Sequence, residues 1–321
     1  MTWLITGGAG YIGAHVLRAF VAAGMPVVVL DDLSTGVRER VPEAAPFVQG
    51  SILDVDLLDA VLVDHAVTGV VHVAGKKSVP ESIARPEFYA RQNVDGTRVL
   101  LAACVRHGVR HFVFSSSAAV YGVIESMQPI TEDAPVVPIN PYGQSKLDAE
   151  RLVEKATTDG AIEAIAFRYF NVGGAKEPIL EDTIGENLIP IVRRAIAAGK
   201  PVRVFGTDLP TRDGTCIRDY IHVEDLAAAH LAAARYLEGA PRAGFEVVNL
   251  GTGQGSTVLE VLDAISRAEG VPVPWEPALP RPGDPAASTC DASKAGDLLG
   301  WRAEHGLDDI VAPGWRTSKP R

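Results

Sequence analysis

The chain has 321 residues, 47% hydrophobic and 22% charged, with 31 glycines. That is enough for two domains at roughly 100–200 residues each and too apolar for a disordered chain. A net charge of −10 repels phosphate backbones and anionic lipid heads, which argues against nucleic-acid and membrane partners. The three cysteines, Cys104, Cys216 and Cys290, are too scattered for a disulfide framework or a CxxC site, and no metal is expected. The opening residues contain Gly7, Gly8, Gly10 and Gly13 and lack a basic start, so neither a membrane span nor a signal peptide is expected. A reducing, cytoplasmic location fits.

Through the first half, short β-branched runs alternate with helical stretches, the pattern of a doubly wound α/β fold with a parallel sheet covered on both faces. Strands are expected at Trp3–Thr6, Pro26–Asp31, Phe47–Gln49, Gly69–Val73, His111–Ser115 and Ile162–Arg168. Helices are expected at Ile12–Ala23, which Gly24 would end, and at Asp56–His65, Pro86–His107 and Pro141–Lys155. Beyond about residue 170 the pattern loosens. Helices at Leu188–Ala198, Val223–Leu237 and Thr257–Glu269 are separated by polar, glycine- and proline-rich loops over Gly173–Gly185, Gly206–Thr215 and Pro272–Pro285, which suits a smaller α/β ligand-gripping lobe. The expected division is residues 1–170 and 171–321, with segments near 220–250 packing back on the first domain.

The first strand runs directly into Gly7-Gly8-Ala9-Gly10-Tyr11-Ile12-Gly13, which opens a helix. Glycines there let the chain turn tightly, bring backbone N–H groups close to a pyrophosphate and seat the helix on the strand. Asp31 closes the second strand, where a Rossmann-type site carries an acid about 20 residues on that takes the ribose hydroxyls and repels a 2′-phosphate. The expected cofactor is NAD.

Tyr142 and Lys146 stand at i and i+4 behind Pro141, a favourable first helical residue. The spacing puts phenol and ammonium on one face, and a nearby cation favours the phenolate, making a general base. Tyr-x-x-x-Lys is common on helices. Here the helix follows the strand ending in Ser115-Ser116-Ser117, and ligands of open α/β sheets bind beyond the carboxyl ends of strands.

With these residues in view, the chain resembles the extended short-chain dehydrogenase/reductase superfamily and, within it, the UDP-glucose 4-epimerase family. The likeness runs from TGGAGYIGAHV (6–16) through VLDDLSTG (29–36), FSSSAAVYG (114–122), PYGQSK (141–146), RYFNVGGA (168–175), VFGTDLPTRDGTCIRDYIHVEDLA (204–227) and NLGTG (249–253) to RPGD (281–284) and DASKA (291–295). The resemblance implies interconversion of UDP-galactose and UDP-glucose by transient oxidation at C4, with Tyr142 as base and acid, Ser117 assisting and Lys146 holding the nicotinamide ribose. It places Gly7, Gly10, Tyr11, Ile12, Gly13, Asp31, Ile52, Ala74, Lys77, Ser115 and Tyr169 at the NAD and Asn171, Asn187, Leu188, Phe205, Arg218, Arg281, Asp284 and Ser288 at the UDP-sugar. It also implies a homodimer through the Pro86–His107 and Pro141–Lys155 helices.

Arginine guanidiniums suit diphosphate recognition, although Arg218 beside Asp219 equally suits an ion pair and Phe205 equally suits a core. Ser51, Gln92 and Val73 replace the family's usual aspartate, asparagine and phenylalanine, and the Gly173–Asn187 loop is short. Ser288 stands where some relatives carry a tyrosine. It leaves room in the sugar pocket, so N-acetylated UDP-hexosamines are an expected further substrate. The rival reading is a nucleotide-sugar 4,6-dehydratase or decarboxylase. Dehydratases of the superfamily carry an Asp-Glu pair where this chain has Ala118 and Ala119, and methyl groups move no protons.

Overall fold

Runs such as Val27–Asp31, apolar except at the last residue, are buried along their whole length in the computed structural model of the chain, which describes residues 1–182, 185, 187–239, 244–281 and 283–313. Thr183, Ile184 and Glu186 of the 173–187 loop, Pro282 of the RPGD run and residues 314–321 of the expected second lobe lie outside the described residues.

The first half supplies β1 (Thr2–Thr6), β2 (Val27–Asp31), β3 (Phe47–Gln49), β4 (Val67–His72), β5 (His111–Ser115) and β6 (Glu163–Tyr169). The chain continues through β7 (Asn171–Gly173), β8 (Val202–Phe205), β9 (Ile217–His222), β10 (Phe245–Leu250), β11 (Gly255–Thr257), β12 (Trp275–Ala278) and β13 (Ala287–Ser288). Seven strands form one sheet in the order β10-β6-β5-β4-β1-β2-β3, each pair parallel. Strand order reverses between β1 and β4, and such a switch point opens a crevice at the carboxyl ends of the strands.

The helices are α1 (Tyr11–Ala22), α2 (Val55–Asp64), α3 (Val79–Ala84), α4 (Pro86–Tyr89), α5 (Gly96–Arg106), α6 (Pro141–Thr158), α7 (Leu188–Ala197), α8 (Val223–Gly239), α9 (Val258–Glu269), α10 (Ser293–Leu299) and α11 (Leu307–Val311). Val16, Leu17 and Phe20 of α1 join Ala229, Ala233 and Leu237 of α8 in one core. Leu58 and Leu62 of α2, Leu100 and Cys104 of α5, and Ala149 and Val153 of α6 fill another. The alternation of facing along β1 explains the two layers: Trp3 and Ile5 enter the first core and Leu4 the second. A separate core of Val192, Val204, Tyr220, Leu262 and Ile310 supports the lobe beyond β6.

Three sequence expectations are corrected. The helix expected over Pro86–His107 runs unbroken from Pro86 to Arg106 but widens to a π-helical stretch at Ala90–Asp95 between α4 and α5, where buried Asn93 bonds the Lys76 backbone and Ser145. The loop expected over Pro272–Pro285 contains β12, paired parallel to β8 from Trp275 opposite Val202 to Ala278 opposite Phe205. Strand β4 starts at Val67, two residues before the expected Gly69.

Candidate active site

The glycine turn is shaped by close approach. Gly7 has φ +73°, and a Cβ there would lie 2.7 Å from the Ala74 nitrogen, so β1 and the end of β4 meet without a side chain between them. A Cβ on Gly13 would lie 2.0 Å from the Gly7 carbonyl oxygen, so α1 also seats directly on the turn. Gly10 caps α1 without a side-chain partner, leaving the first helical N–H groups directed at the crevice. Asp31 is buried at the end of β2, accepting the Ala9 N–H at 3.0 Å and the Leu33 N–H at 2.8 Å. Burial raises its carboxyl pKa and the two N–H groups work against that rise.

Tyr142 is placed by α6. Asn140 caps this helix by accepting the Gly143 N–H at 2.9 Å, with Pro141 in its first turn. A Cβ on Gly143 would stand 2.6 Å from the Ala119 carbonyl, so only glycine allows α6 to press against the turn that begins at Ser117. That approach brings α6, and Tyr142 with it, against the turn carrying Ser117, whose Oγ accepts the Ala119 N–H at 3.1 Å. Lys146 is buried and its Nζ donates to the Ser115 carbonyl at 2.8 Å.

These contacts correct the sequence reading of the pair. Burial raises the Tyr142 phenol pKa, and the group that draws it back down is Ser117. Burial lowers the Lys146 ammonium to about 8. The ammonium is committed to Ser115, so the ordering of the pair is visible while the expected depression of the phenol is not.

Burial raises the Tyr169 phenol pKa, and Ser115 works against that rise. Ile52 is buried, and a Cβ on Gly96 would meet its Cδ1 at 2.5 Å. Ile12 packs on the first core, and the Ala74 N–H donates to the Thr6 carbonyl at 3.1 Å. Ser51 accepts the Leu53 N–H at 3.1 Å.

Two contacts join the cofactor-side residues to the second lobe. Tyr11 donates its hydroxyl to the Gly174 carbonyl at 2.6 Å. Lys77 Nζ and Asn187 Nδ2 both reach Asp182, at 3.1 Å and 3.3 Å. Asp182 carried no sequence signal, since it stands in an irregular loop.

On the substrate side, Arg218 pairs with Asp284, not with Asp219, and donates to the Pro285 carbonyl at 2.9 Å. Asp219 is buried and instead accepts the Thr252, Gly253 and Cys290 N–H groups. Arg281 lies over the Phe205 ring, 4.1 Å from its centroid, and Phe205 is partly buried. Ser288 stands opposite Arg218 in register between β13 and β9. Asn171 begins β7 opposite Tyr220, and Leu188 packs on the lobe core.

His222, Glu224 and His305 bring ligand-capable atoms within 4.8 Å of one another, a grouping that local spacing does not show because His305 is distant in sequence. The two imidazoles stack with centroids 4.4 Å apart and planes at 22°. Their in-plane lone pairs therefore run side by side without converging, and Asp225 takes His305 Nδ1 at 2.8 Å.

A doubly wound sheet with a glycine turn at its switch point, an acid closing the second strand and an ordered Ser-Tyr-Lys group define a dinucleotide-dependent site of the short-chain dehydrogenase/reductase type. The family model described as "NAD dependent epimerase/dehydratase family" matches residues 3–251. The chain is 46% identical to the UDP-glucose 4-epimerase of Azospirillum brasilense, over 98% of this chain and 92% of that protein. The solved UDP-glucose 4-epimerase of Stenotrophomonas maltophila, with bound NAD and formylated UDP-arabinopyranose, superposes with a TM-score of 0.93 at 39% identity, covering 99% and 97% of the two chains. That of Bifidobacterium longum, in complex with NAD+ and UDP, gives 0.89 at 38% identity, covering 100% and 99%. The chain belongs to the NAD dependent epimerase/dehydratase family.

Proposed function

We propose that this chain interconverts UDP-galactose and UDP-glucose, with NAD as its resident cofactor. The observation that carries the reading is the seating of α6, with Tyr142 and Lys146 on it, directly against the turn carrying Ser117 and the end of the strand beside the switch point. The glycine turn fits a dinucleotide because Gly7, Gly10 and Gly13 keep it bare of side chains and Gly13 lets α1 seat directly on it, with the first N–H groups of the helix left for a pyrophosphate. Gly7, Gly10, Tyr11, Ile12, Gly13, Asp31, Ile52, Ala74, Lys77, Ser115, Lys146 and Tyr169 would hold the cofactor. When bound, NAD supplies an acceptor and donor for the hydride of one sugar carbon.

Tyr142 Oη takes the proton of the sugar O4 and later returns it, with Ser117 sharing the hydrogen bond that stabilises the phenolate. Lys146, anchored on Ser115, orients the ribose end of the cofactor. Arg218 and Arg281 meet the diphosphate with planar donor forks, Phe205 offers its ring face to the base, and Asn171, Asn187, Leu188 and Asp284 complete the nucleotide grip. Inversion at C4 requires the sugar to turn either face of that carbon to the hydride acceptor and donor that NAD would supply, while O4 stays within reach of Tyr142. A tight hold on UDP with few hexose anchors meets that requirement.

At the positions beside Ser117, the methyl groups of Ala118 and Ala119 favour epimerisation over 4,6-dehydration. Ser288 is held in strand register beside Arg218, and that geometry adds no support for N-acetylated hexosamines. The reading carries with it a homodimer and a cytoplasmic location, the latter in keeping with three free, buried cysteines. Incubation of purified protein with UDP-galactose tests it. UDP-glucose should form to equilibrium without net accumulation of reduced dinucleotide. Stoichiometric reduction or absence of product refutes it.

A further inference from the structure

Ser115, the last residue of β5, is a junction. Its carbonyl accepts Lys146 Nζ at 2.8 Å, and its Oγ lies 3.0 Å from His230 Nε2. His230 comes from α8, which covers the sheet face opposite α6. Its Nδ1 lies 2.8 Å from the Leu226 carbonyl oxygen, a group that only accepts. Nδ1 therefore carries the ring proton, Nε2 presents a lone pair, and Ser115 is the donor in the shared bond. The direction of the chain follows: Ser115 hydroxyl to His230, His230 to Leu226.

The ring is 0% exposed and meets Phe167 edge-on, centroids 5.0 Å apart. Burial lowers its pKa to about 4, which keeps it neutral and its acceptor in place. Turning the Ser115 side chain away would leave a buried donor and a buried acceptor without partners, and such orphans are costly.

We propose that His230 is a positioning residue for the cofactor end of this site, locking Ser115 from behind the sheet so that its carbonyl stays where it anchors Lys146 for the nicotinamide ribose. The inference rests on the assignment of NAD to this crevice and names a residue that neither composition nor motif spacing marked.

The test is the NAD dissociation constant of stripped protein, measured by titration without sugar, for the His230→Leu, His230→Gln and Ser115→Ala variants. Leucine fills the space and removes the acceptor, whereas glutamine returns an amide oxygen. His230→Leu should weaken NAD binding about tenfold, the effect of one lost buried hydrogen bond with its orphaned partner, and His230→Gln should recover most of it. The double variant should be no weaker than Ser115→Ala alone, and where His230→Leu does not fold, Ser115→Ala and His230→Gln carry the comparison. KM for UDP-galactose in loaded enzyme should stay close to the wild-type value. Unchanged NAD affinity in His230→Leu, glutamine no better than leucine, or additive losses in the double variant overturns the proposal. Wild-type protein that binds NAD but leaves UDP-galactose unchanged would instead refute the epimerase reading.

Discussion

Gly143 and the carbonyl of Ala119 stand so close that a Cβ on the glycine would come within 2.6 Å of the oxygen. The neighbour is backbone, which cannot swing aside as a side chain would, so a methyl group must push α6 away from the turn carrying Ser117. Gly143→Ala is expected to lower kcat by roughly 10–100-fold, because small misplacements of catalytic groups are costly. NAD binding should weaken as well, since α6 also carries Lys146, but the glycine turn that holds the other end of the cofactor is untouched. A kcat near wild type would show that the approach of α6 does not set the Tyr142–Ser117 geometry.

Much of this arrangement was legible in the sequence. A strand leading into spaced glycines, Asp31 closing the next strand and Tyr142 one turn before Lys146 are local signals, each set by backbone rules. The lobe was far less readable. Strands β7, β11 and β13 span only two or three residues, too short for alternation to register, and they exist because β9 pairs with all three. The ion-pair alternative for Arg218 named the wrong acid for a related reason. Asp219 follows it in sequence but points to the other face of β9, as successive strand residues must, and Asp284 arrives from a distant loop. The π-helical turn at Asn93 answers to the Lys76 loop and Ser145, which no helical periodicity encodes.

Burial of Lys146 makes a prediction about pH. Its ammonium is lowered from 10.5 to about 8 in the folded protein, so between those values the unfolded chain binds the extra proton and stability rises with pH. Below about pH 8 the buried charge costs the fold roughly 3 kcal/mol. In NAD-stripped protein, Lys146→Met should therefore be more stable than wild type at pH 7, and the gap should close towards pH 10. Urea unfolding at several pH values checks this. A gap that is constant or widens with pH contradicts the assigned burial.

Acid should unfold the protein through its imidazoles. Burial lowers His15, His222 and His230 to about 4 and His72 to about 3, whereas exposed imidazoles titrate near 6.5. Between these values the unfolded chain takes up protons that the folded one refuses, so stability falls as pH drops below about 6.5. With all four contributing, the slope reaches about 5 kcal/mol per pH unit. The His15→Gln variant should show a slope shallower by one proton. Stability that stays level from pH 6.5 to 4.5 would count against neutral burial of these rings.

The measurement that bears most directly on the account is the rate of UDP-galactose conversion by Tyr142→Phe, in protein shown to retain its fold and bound NAD. Loss of the hydroxyl removes only the group that carries the O4 proton, so kcat should fall by about 10²–10⁴-fold, the usual worth of general acid–base catalysis. A variant that keeps its fold and cofactor and turns over within a few-fold of wild type would contradict it.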